Sequence, residues 1–241
     1  SLDNTGQNDR HGTAVSGLIA ADANGIGVIG VAPGATLVGV DLPFGGSINA
    51  PSGQTFDATG GQFRNFDVSN NSWGNSGAFV FTEANSPLFF AGLTDSALNG
   101  RGGLGSVVVK SAGNNRNQTV DSNTESFNAS RYVVAVAALA SDGFNSNYSS
   151  YGSNILISGH IQGFGPNTLN YGVLTTDRTG AGGYNATDYA QFNGTSAAAP
   201  VVSGVIALML DANPNLSARD VQQILAYSAR IAGSPVDLDS I

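Results

Sequence analysis

Three short apolar runs leave this chain little choice of architecture: ATLVGVDL at 35–42, SVVVKSAG at 106–113 and YVVAVAAL at 132–139. None alternates apolar with polar residues, as a strand with one wet face does, so each reads as a strand buried on both sides. Helical spacing fills other stretches. In GTAVSGLIAADA, 12–23, Val15, Leu18, Ile19 and Asp22 recur at helical intervals, with small residues between them that permit close packing. SAAAPVVSGVIALMLDANP, 196–214, reads as a second, buried helix stopped by Asn213 and Pro214. SARDVQQILAYSAR, 217–230, reads as an amphipathic third, opened by Ser217 with Asp220 three residues on. Strands alternating with helices predict an α/β fold: three layers, α/β/α, around a central, mostly parallel twisted sheet. In such sheets functional sites gather where strands end and helices begin.

Composition narrows what the fold can serve. The texture is even along all 241 residues, without linker, charge block or low-complexity run, which predicts one domain over 1–241. With 41% apolar and 11% charged residues, the chain can bury a core and is not of the disordered class. A net charge of -8 argues against nucleic acid and against an anionic membrane as partner. The lack of cysteine excludes disulfides, thiolate metal sites and a cysteine nucleophile. The longest apolar run, 201–210, is about half a membrane span. No signal-peptide pattern opens the chain, so a mature form or a missing start is expected. The Gly- and Asn-rich stretches 115–130 and 159–190 read as polar loops.

Few residues are left to carry chemistry. The two histidines are His11, in NDRHGTAVSG at a loop-to-helix junction, and His160, in the Gly-flanked LISGHIQG, read as a loop. Ser196, in NGTSAAAP, opens a helix; it is either the cap of that helix or a nucleophile beside its free N–H groups and positive dipole end. Asn114 follows a buried strand and a glycine, where an amide can donate to a developing oxyanion or simply close a turn. NNSWGNSG, 70–77, holds the one tryptophan; Ser72, Trp73 and Gly74 form an extended edge able to pair with a peptide backbone, or else a core-edge tryptophan before a turn.

The order of these signals carries more than any one of them. HGTAVSGLIAA with GVIGVAPGATLVGV, then SWG at 72–74, AGN at 112–114 and NGTSAAAPVVSGVIALML with NPNLSARDVQQIL resemble the subtilisin-like serine proteases, the subtilases, over nearly the whole chain. GRGGLGSVVVKSAGNN and VLTTD at 173–177 point to that family's kexin/furin-like branch. The resemblance implies a serine endopeptidase acting on protein or peptide, with Ser196 as nucleophile, His11 as general base, Asn114 as oxyanion donor and Ser72–Gly74 along the substrate. A related family with a similar GTS uses Glu in place of His, which His11 makes an unlikely match.

The chain departs from the pattern in three places. The family's catalytic aspartate ends an early strand well before the histidine, whereas only Asp3 and Asp9 precede His11, and neither has a strand before it. A domain lacking that N-terminal strand is therefore expected, weak or inactive alone; the alternative is a catalytically dead binding or structural module on the same fold. Second, ADANGIGVIG resembles a calcium loop, with Asn24 offering its side chain and Asp22, Ile26 and Val28 their carbonyls; no organic cofactor is implied. Third, the acids that receive basic substrate side chains in the kexin-like branch are missing after SWG. The first is Glu83, leaving Asp121 and Glu125 to place an acid in the pocket, so an apolar or mixed preference competes with a paired-basic one. The resemblance also implies secretion to the exterior or periplasm, a possible propeptide and a possible downstream β-sandwich domain.

Overall fold

A computed structural model of the chain describes residues 9–40, 61–74, 77–118, 120–161 and 172–231. Its centre is a parallel sheet of β1 (Val68–Asn71), β2 (Val107–Ser111), β3 (Val133–Leu139) and β4 (Ile155–His160), side by side in that order. Along β2 the side chains alternate between faces, as the two-residue period of a strand requires. Val107 and Val109 enter one core, with Val134, Val136 and Ala138 of β3; Val108 enters the other, with Val133. Both faces are dry, which is why neither run alternates in polarity.

The first face is covered by α1 (Asp9–Ala20), α4 (Thr195–Ala212) and α5 (Ala218–Ser228). The opposite face is covered by α2 (Pro87–Asn99) and the single turn α3 (Ser126–Ala129), which supply Phe89, Phe90, Leu93 and Phe127. Each of these phenylalanines is buried, a contribution of about 1.5–3 kcal/mol apiece. The result is the three-layer α/β/α arrangement. By length and composition α4 would suit a membrane, but it lies across the sheet and packs on all four strands. The capping box at α5 is in place: Asp220 N donates to Ser217 Oγ at 3.1 Å and Ser217 N to Asp220 Oδ2 at 2.8 Å.

Three expectations need correction. The run at 35–42 is not a buried strand over its described part: residues 35–40 pair with nothing in a sheet, and Leu37, Val38 and Val40 are exposed; 41–42 lie outside the described residues. A strand is defined by a ladder partner, and β-branched composition cannot supply one. The stretches 115–130 and 159–190 are not all loop; the first holds α3. His160 is the exposed last residue of β4, and β5 (Val173–Thr176) pairs antiparallel with β6 (Tyr189–Phe192). Lastly, the first helix ends at Ala20, which leaves Asp22 beyond it in an exposed turn.

Candidate active site

The site gathers at the carboxyl ends of β1 and β2 and the start of α4. Ser196 is not the cap of its helix. The N-cap is Gly194, whose φ of 87° favours glycine, and Ser196 is the second helical residue. Gly194 N donates to the Tyr148 hydroxyl at 3.0 Å, which fixes the turn before the serine.

Asn114 is pinned by one end only. Its Oδ1 accepts from Thr195 N at 2.9 Å and from Thr195 Oγ1 at 3.0 Å, while Gly113 N donates to the same threonine hydroxyl at 3.2 Å. The Asn114 amide nitrogen is left with no acceptor among the described residues. Neither has Ser196 N–H one, since the residue four before it precedes the helix. Two free donors therefore flank the serine at the positive end of an 18-residue helix.

Pro200 explains how Ser72 meets Ser196. Proline has no N–H, so the carbonyl four residues earlier, that of Ser196, lacks its helical donor. Ser72 Oγ donates to that carbonyl at 3.1 Å, and Ser196 Oγ donates to Ser72 O at 3.4 Å. Asn70 Nδ2 donates to Ser72 Oγ at 3.0 Å, and Ser203 Oγ of α4 donates to Asn70 Oδ1 at 2.9 Å. Trp73 rests on the second core, 5.5 Å from the Phe127 ring, with its indole N–H on Asn71 Oδ1 at 3.2 Å. A cleft of about 200 Å³ opens beside the serine, lined by Trp73, Gly74, Asn114, Glu125 and Ser196 among others. It has room for one side chain rather than a whole small molecule.

His11 stands in the first turn of α1. Its ring packs against the Phe192 ring of β6, edge-on at 5.1 Å. The helix is fastened to the β5–β6 hairpin by Thr175 Oγ1 on Ala14 O and Thr176 Oγ1 on Thr13 O, each at 2.8 Å. Gly17 makes that approach possible, because a Cβ there would collide with both threonine hydroxyls. Burial lowers the pKa of His11 from its ordinary 6.5, so the ring is neutral at pH 7 and able to accept a proton. Among the described residues His11 has neither a hydrogen bond to Ser196 nor a carboxylate partner. Asp3 lies outside those residues, and so does the side chain of Asp9.

The loop at 21–30 folds back on α1 through Gly30 N on Ala21 O at 2.9 Å and Val31 N on Leu18 O at 3.0 Å. Asn24 Oδ1 accepts from Ile26 N at 3.0 Å. Asp22, Asn24 and Ile26 are exposed and Val28 half-buried, and no three acidic or histidine side chains converge among the described residues. Of the candidate specificity acids, Glu83 is exposed away from the cleft, whereas Asp121 and Glu125 both line it. Sequence reasoning missed Thr195 and Tyr148. Thr195 adjoins the serine, which was a signal of a kind; Tyr148 gave none, since it reaches Gly194 only through the fold.

The profile of the subtilase family (Peptidase_S8) matches residues 2–239. The extracellular serine protease of Aeromonas sobria is 33% identical over 91% of this chain and 41% of its own length. A dibasic-processing endoprotease of Schizosaccharomyces pombe is 31% identical over 94% of the chain and 30% of its own length. A calcium-dependent protease of Trichormus variabilis is 33% identical over 92% and 35% respectively. The crystal structure of the A. sobria serine protease in complex with the chaperone superposes with a TM-score of 0.81 at 30% identity, covering 94% of this chain and 44% of that one. The chain thus spans less than half the length of these relatives.

Proposed function

Since the chain belongs to the subtilase family, we propose that it is the catalytic domain of a serine endopeptidase, with Ser196 as nucleophile, His11 as general base and Asn114 as oxyanion donor. The carrying observation is the pair of free donors, Asn114 Nδ2 and Ser196 N–H, beside a serine at a helix start. Pinning Asn114 through its oxygen aims its nitrogen without reorganisation when charge develops, which is where such donors gain their effect.

In the reaction Ser196 Oγ attacks the peptide carbonyl carbon and its proton passes to His11. The carbonyl oxygen, now negative, is held by Asn114 and the Ser196 amide. Collapse expels the amine, which takes the proton from His11, and water repeats the sequence on the acyl-serine ester. For this, Ser196 Oγ must leave its 3.4 Å contact with Ser72 O so that its proton can pass to the imidazole. Catalytic hydrogen bonds are often longer before substrate arrives. Ser72–Gly74 is the wall along which the substrate backbone runs.

The carboxylate partner of His11 belongs, in this reading, to a strand outside the described residues. The described sheet ends at β1, and the exposed apolar run at 35–40 has no partner strand among the described residues, both of which suit a further strand. Calcium binding is proposed for the whole protein by analogy with the calcium-dependent relative. The loop's own four positions fall short of the six to eight oxygens that calcium takes, and one lone pair of Asn24 Oδ1 is already used. No step depends on it. The substrates are proteins or peptides, the location is outside the cytoplasm as for the extracellular relative, and a chaperone or propeptide partner fits the A. sobria complex.

A fluorophosphonate probe on the full-length protein tests the reading. Labelling at Ser196, lost together with peptide cleavage in Ser196→Ala, is expected. A folded protein that takes no label would instead be the inert module.

A further inference from the structure

One strand position breaks the pattern of the sheet. Beyond Val108, on the same face, β2 carries Lys110, whose side chain is 1% exposed at the end of the strand. A buried ammonium is costly unless its donors and its charge are met. Here they are. Nζ donates to Trp73 O and, at 3.1 Å, to Ser111 O. It lies 5.2 Å from the Trp73 ring centre and 5.9 Å from that of Phe127, and 3.8 Å from Glu125 Oε1.

Glu125 brings a carboxylate from this cation to the cleft wall. It lines the cleft, while Lys110 sits behind it, out of solvent. Its Oε1 faces the ammonium without a hydrogen bond, and its Oε2 and Lys110 Nζ both approach Gly74, 3.7 and 3.5 Å from where a Cβ on that glycine would be. Burial pushes Glu125 up and Lys110 down, and the charge of each opposes the shift of the other. The other acid of the lining, Asp121, is engaged in its own turn, with Oδ1 accepting from Asn123 N at 2.8 Å and Asn123 Nδ2 at 2.7 Å.

We propose that Lys110 is a specificity-determining residue: a resident cation that neutralises Glu125 from behind the cleft wall, so that the cleft beside Ser196 takes an uncharged side chain in preference to lysine or arginine. The inference rests on the endopeptidase reading for its meaning, because the side chain selected is that of the residue whose carbonyl Ser196 attacks. The charge logic is independent of that reading. An acid at the wall of a narrow cleft attracts a cation only while its own charge is unspent, and Lys110 already stands where a second cation would be repelled.

Two measurements test it on the full-length protein. The first compares kcat/KM for peptides that differ only before the cleaved bond. The wild type is expected to favour glutamine, methionine or leucine over lysine and arginine by tenfold or more. Lys110→Met is expected to raise lysine and arginine at least tenfold relative to those, and Glu125→Gln on top of it to remove the gain. The second is binding of p-aminobenzamidine, a fluorescent cation that needs no catalysis: weak in the wild type, gained in Lys110→Met, lost again in the double variant. If Lys110→Met does not fold, Lys110→Gln keeps a donor for the two carbonyls without the charge and is expected to behave alike. A wild type that prefers lysine or arginine, or a folded Lys110 variant that gains no probe, overturns the proposal. Probe gained without any cleavage would instead leave it standing and count against the endopeptidase reading.

Discussion

The serine end and the histidine end of the site are built to different standards. Around Ser196, four separate segments are tied together by hydrogen bonds: Ser72 reaches the serine carbonyl, Asn114 and Gly113 bind Thr195, and Tyr148 holds Gly194. Around His11 the ties lie two and three residues further along α1, at Thr13 and Ala14, and the ring packs against that of Phe192 without a hydrogen bond among the described residues. A nucleophile and two oxyanion donors must share positions to within a fraction of an ångström, and hydrogen bonds on three sides supply that. A base needs its ring turned and its tautomer fixed, which takes a polar partner on the far nitrogen. The half of the site that local structure can complete is complete; the half that depends on a partner is, among the described residues, held by packing.

Breaking the serine end has the largest consequence. Ser196→Ala is expected to lower kcat by on the order of 10⁶, measured with a peptide substrate on the full-length protein. Asn114→Ala removes one of the two proposed oxyanion donors and is expected to cost about 10²–10³ in kcat with little change in KM. An unchanged kcat would mean that Ser196 N–H acts alone. The histidine end breaks through packing. Gly17→Val drives a side chain into the Thr175 and Thr176 hydroxyls, with an expected loss of roughly 1–3 kcal/mol in urea unfolding and lower activity through a displaced α1. Thr195→Val removes a hydroxyl but leaves its amide bond to Asn114, so about 0.5–1.5 kcal/mol and a smaller fall in kcat are expected than for Asn114→Ala.

The smallest effect concerns acid. If His11 is the general base, its active form is neutral, and burial lowers its pKa, so kcat/KM is expected to fall only as pH drops below 6.5. The unfolded chain, with the ordinary pKa, binds the proton first, so the same group also reduces stability as pH falls through that range. An acidic limb displaced above 6.5 would reveal the carboxylate partner at work, because a negative neighbour raises the pKa of the imidazole.

Much of the frame was legible because strand and helix periods are local. VVVKS and VVAVAAL read as buried strands, Ser217 with Asp220 as a helix start and Asn213 with Pro214 as a helix end, and each is found so. The run at 35–40 misled for the complementary reason: its composition suits a strand, but pairing belongs to whatever lies beside it. The β5–β6 hairpin hid in a Gly-rich stretch, since two four-residue strands leave little periodicity to see.

The sequence by itself determined the chemistry available: two histidines, no cysteine, a serine at a helix start and an asparagine after a strand. Even the proline that frees the Ser196 carbonyl is written there. The tertiary structure decided what those groups do to one another. Only folding could turn Asn114 by its oxygen, leave its nitrogen free, and bring Ser72 to a carbonyl 124 residues away. It also set Lys110 against Glu125: the strand period fixes the face of Lys110 but not the partner it meets there. The physical reason is one of range. Propensity and capping act within a turn or two of the chain, whereas charge, burial and hydrogen-bond direction depend on neighbours that only close packing supplies.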